Sequence, residues 1–251
     1  MKVIESIEKA VVKLRRKRVS KAIFEQFGGV VAAGKFKGLK LTSNTNTSAG
    51  VLGLKVLGLY EKEIIDYICS QKKFITLINL GAGDGYYPLG LLKANQISKA
   101  ICFEMSESGR NSILENSNSN GYSEKIDVFG KATNQTVRVA ISKEKKGRTL
   151  MICDIEGGEF KYFKDKDIFN IKGCTWIIEL HDRVLGLNRK VREDLLACIP
   201  KNLNISIVKS KPIDWSHHPT LEELSDNDRA LVLSEGRKII GEWLIVSDSA
   251  I

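Results

Sequence analysis

Four short segments of this 251-residue chain bring together residue types that can do chemistry, and each closes an apolar run. The sharpest is Ile78-Asn79-Leu80-Gly81-Ala82-Gly83-Asp84-Gly85, where aliphatic residues give way to alternate glycines. Glycine carries no Cβ and accepts positive φ, so main-chain N–H groups in such a turn can face a bound nucleotide or an amino-acid carboxylate. Tyr86 stands where a dinucleotide fingerprint needs its third glycine, which argues against a nicotinamide cofactor. The chain has no glycine-lysine phosphate loop, so no triphosphate is expected. About twenty residues further on, Ile101-Cys102-Phe103 ends in Glu104, the place of a carboxylate that accepts hydrogen bonds from ribose hydroxyls. The third segment, Met151 to Glu159, empties Asp154, Glu156 and Glu159 with two glycines into one turn. Such carboxylates can orient a hydroxyl, hold an ammonium or accept a proton. The fourth, Trp176 to Asp182, delivers Glu179, His181 and Asp182. An imidazole with its ordinary pKa of about 6.5 is neutral at cytoplasmic pH and can serve as a general base, the role expected of His181.

These groups act together only if the chain brings the ends of their runs to one edge. From residue 63 onward, helix-like and strand-like segments alternate at the spacing of βα units. The strand candidates are 74–80, 100–104, 126–129, 149–154, 176–180, 205–208 and 242–246, with Val137–Ile141 as an eighth. The pattern predicts an α/β fold with a doubly wound, seven-stranded, mostly parallel sheet of Rossmann-like type, preceded by an N-terminal helical arm. In such a sheet the four motifs share the carboxyl edge, where ligands bind. The division expected is a basic arm and lead-in over residues 1–55 and a cofactor-binding domain over 56–251. The long polar segment from Pro212 to Lys238 is placed to cover the strand ends.

The formal charge of +9 is concentrated in the arm, since residues 1–40 hold eleven Lys or Arg against three Glu, a net +8. Ile4, Ile7, Val11 and Leu14 recur at helical spacing just before the basic run, so the arm reads as an amphipathic basic helix. It can pack on its own domain with a solvated basic face, or meet anionic lipid or phosphate. The five cysteines form no CxxC pair and read as small core residues, not a disulfide frame or a zinc site. No apolar stretch is long enough to span a bilayer, and Glu5, Glu8 and Lys9 interrupt what a secretory signal would need. The expected location is the cytoplasm, with the arm able to reach the inner membrane surface. Aromatic residues make up 7% of the chain and none interleave the basic run, which argues against a nucleic-acid partner.

Taken in order, Gly58-Leu59-Tyr60-Glu61, the Gly81–Gly85 turn, Phe103-Glu104, Asp154-Ile155-Glu156-Gly157-Gly158-Glu159 and Glu179-Leu180-His181 resemble the FkbM-type methyltransferases over residues 56–182. Asn79, Met105 and Ile152 depart from that family's usual residues. The resemblance implies S-adenosylmethionine as cofactor, bound by Gly81, Gly83 and Glu104, and the full set of cofactor-binding residues expected is Glu61, Asn79, Gly81, Ala82, Gly83, Asp84, Gly85, Glu104, Met105 and Asp154. It implies that Asp154, Glu156 and His181 are catalytic, facing the sulfonium or the acceptor. The reaction implied is O-methylation of a sugar hydroxyl or related polar metabolite, on a small-molecule or glycan acceptor. No resident metal is expected; in a metal-assisted variant the donors would be Asp154, Glu156 and His181. The alternatives are an RNA methyltransferase and a non-catalytic module that keeps the cofactor fold as a scaffold.

Overall fold

A computed structural model of the chain describes residues 2–43, 49–142 and 148–248. Its central strands are apolar because both of their faces are covered. Residues of β1 (Thr76–Leu80) are buried throughout, and so are those of β5 (Cys174–Glu179) and β7 (Glu242–Ser247). In β2 (Lys99–Phe103) and β4 (Thr149–Cys153) the first residue alone is partly exposed. The edge strands β3 (Ile126–Phe129) and β6 (Asn204–Lys209) are largely solvated. The order across the sheet is β3-β2-β1-β4-β5-β7-β6, parallel except for β7, which runs antiparallel to both of its neighbours. The expected doubly wound sheet is therefore present, with all seven principal strand candidates among the described residues.

Alternate residues of each strand feed two apolar layers, as the two-residue period of a strand requires. Leu77, Cys102, Ile152 and Ile177 join one layer, while Ile78, Ile101, Met151 and Ile178 join the other. The first layer is covered by α1 (Lys2–Gln26), α2 (Leu52–Leu57), α3 (Lys62–Ser70), α4 (Tyr86–Lys93) and α5 (Glu107–Ser119). The second is covered by α6 (Asn134–Ser142), α7 (Glu159–Tyr162) and α8 (Lys190–Ala197). Two further helices, α9 (Pro219–Glu222) and α10 (Asp226–Leu233), return Leu221 and Val232 to the first layer.

Three expectations need correction. Val137–Ile141 is not a strand but part of α6; Val137 and Ala140, one helical turn apart, are the residues that reach the second layer. A short apolar run does not by itself distinguish the two periods. The segment 212–238 packs mainly through α10 against α1 and α2, and Arg237 carries it to the end of β5 at Glu179. The arm also docks differently from the simple packing of its apolar stripe. Ser20, Ile23 and Phe24 are buried, whereas Ile4, Ile7, Val11 and Leu14 are each more than half exposed. At 100° per residue that stripe lies on the far side of the helix from Ile23. No helix among the described residues is long and apolar enough to cross a membrane.

The register sets up everything that follows. Leu80 pairs with Phe103 on one side and Cys153 on the other, so β1, β2 and β4 end level. Gly81, Glu104 and Asp154 are the next residues of those strands and emerge side by side.

Candidate active site

Gly81 N–H donates to the Phe103 carbonyl at 2.9 Å and Asp154 N–H to the Leu80 carbonyl at 2.9 Å, so the backbones stay joined one step past the sheet. Gly81 has φ +77°, and a Cβ there would overlap the Asp154 carbonyl oxygen. Glycine is required for the protein's own sake. Gly83 differs: its φ is +56°, yet a Cβ would meet nothing within 4 Å. Its N–H instead donates to Glu104 Oε2 at 2.9 Å, and Ser106 N–H donates to Glu104 Oε1 at 2.8 Å. The Glu104 carboxylate is thus fixed by one backbone donor on each oxygen, and each oxygen keeps acceptor capacity for a ligand hydroxyl. Gly109 is the close neighbour that permits this, since a Cβ there would lie 2.7 Å from Glu104 Cγ.

A cavity of about 680 Å³ opens at this edge, lined by Gly81, Glu104, Met105, Asp154 and Glu156 of the expected residues. Its volume is in the range of small-molecule sites. Phe103, Lys131, Asn134, Lys161 and Tyr162 also line it and were not foreseen as site residues. Lys131 lies in the β3–α6 connection and Asn134 opens α6, and the topology of a parallel sheet puts both on the same edge.

Other expected cofactor residues have different partners. Asn79 is buried within β1, its Nδ2 directed at the Ile152 carbonyl. Asp84 is committed to a buried pair with Lys55 at 2.6 Å, flanked by the rings of Tyr60 and Tyr86. Glu61 accepts from Tyr87 Oη at 2.7 Å and from Arg237 Nη2 at 2.6 Å. Burial and the Glu179 charge raise its pKa to about 7 against the pull of Arg237. Ala82 and Gly85 shape the turn, with Gly85 capping α4.

Beyond the cavity lies a cluster of acids around one imidazole. Fully buried Glu159 accepts from His181 N–H at 2.9 Å and from Gly157 N–H at 2.8 Å, and its Oε1 lies 3.1 Å from His181 Nδ1. This holds the ring with Nε2 3.6 Å from Asp154 Oδ1, 3.6 Å from Glu156 Oε2 and 3.7 Å from Glu179 Oε2. Burial alone would lower the His181 pKa, but the Glu159 hydrogen bond and the charges of Glu179, Glu159 and Asp154 carry it up to about 9. These charges favour the imidazolium form of the ring. Asp154 is raised well above the usual carboxylate range by burial first and then by Glu179 and Glu61. Its Oδ1 is buried and has no hydrogen-bond partner. Arg237 answers Glu61, Glu179 and Glu235 together. Asp182 is turned to Arg192, its two oxygens 2.9 and 2.6 Å from Nε and Nη2.

Comparison with solved structures gives the architecture a precedent. An N-terminally shortened METTL16 methyltransferase domain aligns with a TM-score of 0.58 at 15% identity, over 92% of this chain and 97% of that one. A second crystal form of that domain aligns at 0.56 and 14% identity, over 94% and 80%. A candidate O-methyltransferase from Klebsiella pneumoniae aligns at 0.52 and 10% identity, over 92% and 90%. The fold is the Rossmann-like methyltransferase fold. At these identities the likeness is one of architecture. No protein-family model matches the chain, and no curated protein matches it in sequence.

Proposed function

We propose that the protein is an S-adenosylmethionine-dependent methyltransferase that modifies a hydroxyl of a sugar or a related polar metabolite, with residues 56–251 as its catalytic domain. The observation that carries this reading is Glu104, held by two backbone donors with acceptor capacity left over, beside a glycine turn whose Gly83 faces open space. The cofactor supplies an electrophilic methyl group on a sulfonium. Glu104 would accept hydrogen bonds from the ribose hydroxyls, each charge-assisted bond contributing about 1.5–3 kcal/mol. The main chain at Gly81 and Gly83 would approach the ligand, with Met105 and Phe103 on the cavity wall. The carboxyl oxygens of Asp154 and Glu156 line the near side, where they would face a cationic sulfonium. Most of the rate enhancement in such a site comes from holding the reacting oxygen in line. Asp154, Glu156 and His181 would hold the acceptor and handle the proton its hydroxyl gives up. These roles are taken from the resemblance of the motifs to FkbM-type methyltransferases.

The crowd of carboxylates at the acceptor side disfavours an RNA strand, whose phosphates it would repel. We assign the exposed stripe and basic run of α1 to contact with anionic lipid or phosphate outside the site. Calorimetric titration with S-adenosylhomocysteine tests the cofactor assignment, and a folded chain that takes up none of it would end the methyltransferase reading. Labelled S-adenosylmethionine with separated glycan, metabolite, lipid and RNA fractions tests the acceptor. Label entering RNA alone would replace the hydroxyl-metabolite reading.

A further inference from the structure

We infer that Asp154, Glu156 and His181 form a site for one divalent cation of the Mg²⁺ and Mn²⁺ class. One ligand atom from each residue lies within 4.8 Å of the other two. His181 Nε2 is 3.6 Å from both Asp154 Oδ1 and Glu156 Oε2. Two donors at about 2.1–2.2 Å from a common ion stand roughly 3.0–4.4 Å apart, depending on their angle. The present spread therefore needs to close by a few tenths of an ångström, and the Glu156 side chain, 87% exposed, has the freedom to do it.

Two unanswered atoms point to a ligand independently of the count of acids. Asp154 Oδ1 is buried without any hydrogen-bond partner. His181 is 6% exposed, and its Nε2 has no acceptor within hydrogen-bond distance although three carboxylates face it. Leaving a buried polar atom unpaired is costly, and an ion here would satisfy Asp154 Oδ1 and take His181 Nε2 as a second donor. Glu159 supplies the outer support that a metal-bound imidazole usually has: it engages Nδ1, so that Nε2 is the nitrogen presented. Charge agrees. Arg237 is occupied by Glu61, Glu179 and Glu235, which leaves the His181 imidazole as the cationic group nearest to Asp154, Glu156 and Glu159 among the described ion pairs.

The two carboxylates suit Mn²⁺ or Mg²⁺, and the imidazole favours Mn²⁺ of the two; Mn²⁺ stands lowest in the Irving–Williams order, so a later first-row metal would compete for the same donors. Three protein donors leave open positions on an octahedral ion. An acceptor with two neighbouring oxygens, such as a vicinal diol of a sugar, could fill two of them. That role in methylation rests on the function proposed above; cation binding itself does not.

The test is a titration of the untagged, chelator-treated full chain with MnCl₂, following free Mn²⁺ by electron paramagnetic resonance, with and without S-adenosylhomocysteine. One Mn²⁺ should bind per chain. Asp154→Asn should weaken it at least tenfold, and so should Glu156→Ala, a surface change that leaves the fold intact. No saturable uptake by the folded parent protein overturns the inference, as does uptake that both variants leave unchanged. Affinity for S-adenosylhomocysteine, read on the same samples, reports separately on the methyltransferase reading.

Discussion

The two glycines at the end of β1 should respond differently to one added methyl group, because the protein opposes it at one and leaves room for it at the other. At Gly83 the cost to folding is conformational alone. A left-handed L-residue loses about 1–2 kcal/mol, and a Cβ at Gly83 touches nothing. Gly83→Ala should therefore lower stability by about that amount in urea denaturation. If cofactor backbone contacts occur there, the same methyl should cut affinity for S-adenosylhomocysteine at least tenfold, about 1.4 kcal/mol. At Gly81 the left-handed cost is joined by overlap with the Asp154 carbonyl. The strands cannot part cheaply, since Asp154 N–H donates to Leu80 O at 2.9 Å. Gly81→Ala should cost about 3 kcal/mol or more in stability before any ligand is added. Calorimetric titration beside urea denaturation separates the two effects. A Gly83→Ala protein that binds S-adenosylhomocysteine like the parent would refute the turn's role as a ligand cradle, and a fully stable Gly81→Ala would refute the argument from crossing strand ends.

Glu104→Ala should leave a folded protein whose affinity for S-adenosylhomocysteine falls by a factor of ten or more in calorimetry, through loss of the ribose hydrogen bonds. Glu61 has its pKa raised from 4.5 to about 7, by burial first, so its stabilising contribution is whole below about pH 4.5 and is lost as pH rises to about 7. Glu61→Gln should flatten that stretch of the stability profile measured by urea denaturation at stepped pH. Arg237→Ala strips the counter-charge from Glu61, Glu179 and Glu235, and should lower stability at neutral pH by about 3–5 kcal/mol in the same assay. Removing residues 1–18 stops short of buried Ser20, Ile23 and Phe24, so affinity for S-adenosylhomocysteine should hold. Co-sedimentation with phosphatidylserine vesicles should be lost, having faded with salt in the parent.

The sheet was legible in the sequence because its buried strands are short, apolar and closed by glycine or acid, as in Ile78–Gly81 and Ile101–Glu104. The cavity wall was legible where a motif sits at a strand end, as with Gly81, Glu104, Asp154 and Glu156. It was not legible where a side chain chooses among partners. Asp84 lies in the glycine turn, but Lys55, 29 residues earlier, claims it in the core. Glu61 is claimed by Arg237, 176 residues later, which no local pattern announces. Glu159 looked like one more acid in a turn, yet it is the residue that orients His181. The pKa of His181 could not be read either, since the carboxylates that move it come from the start of α7, the end of β5 and the residue after β4.

The place of β7 between β5 and β6 has a consequence for how the chain leaves the ribosome. β5 is entirely buried in the finished sheet, but its outer edge has no neighbour until residues 242–247 emerge. At roughly 5–20 residues per second, synthesis holds that apolar edge open for some seconds after β5 itself is made. An open edge of this kind is a template for pairing with other chains. The carboxylate partner of Arg237 on β5 waits over the same interval, so the acidic pocket cannot be assembled until synthesis has passed residue 237. Nascent chains stalled before β7 should accordingly be the aggregation-prone species of this protein, whatever the stability of the completed fold.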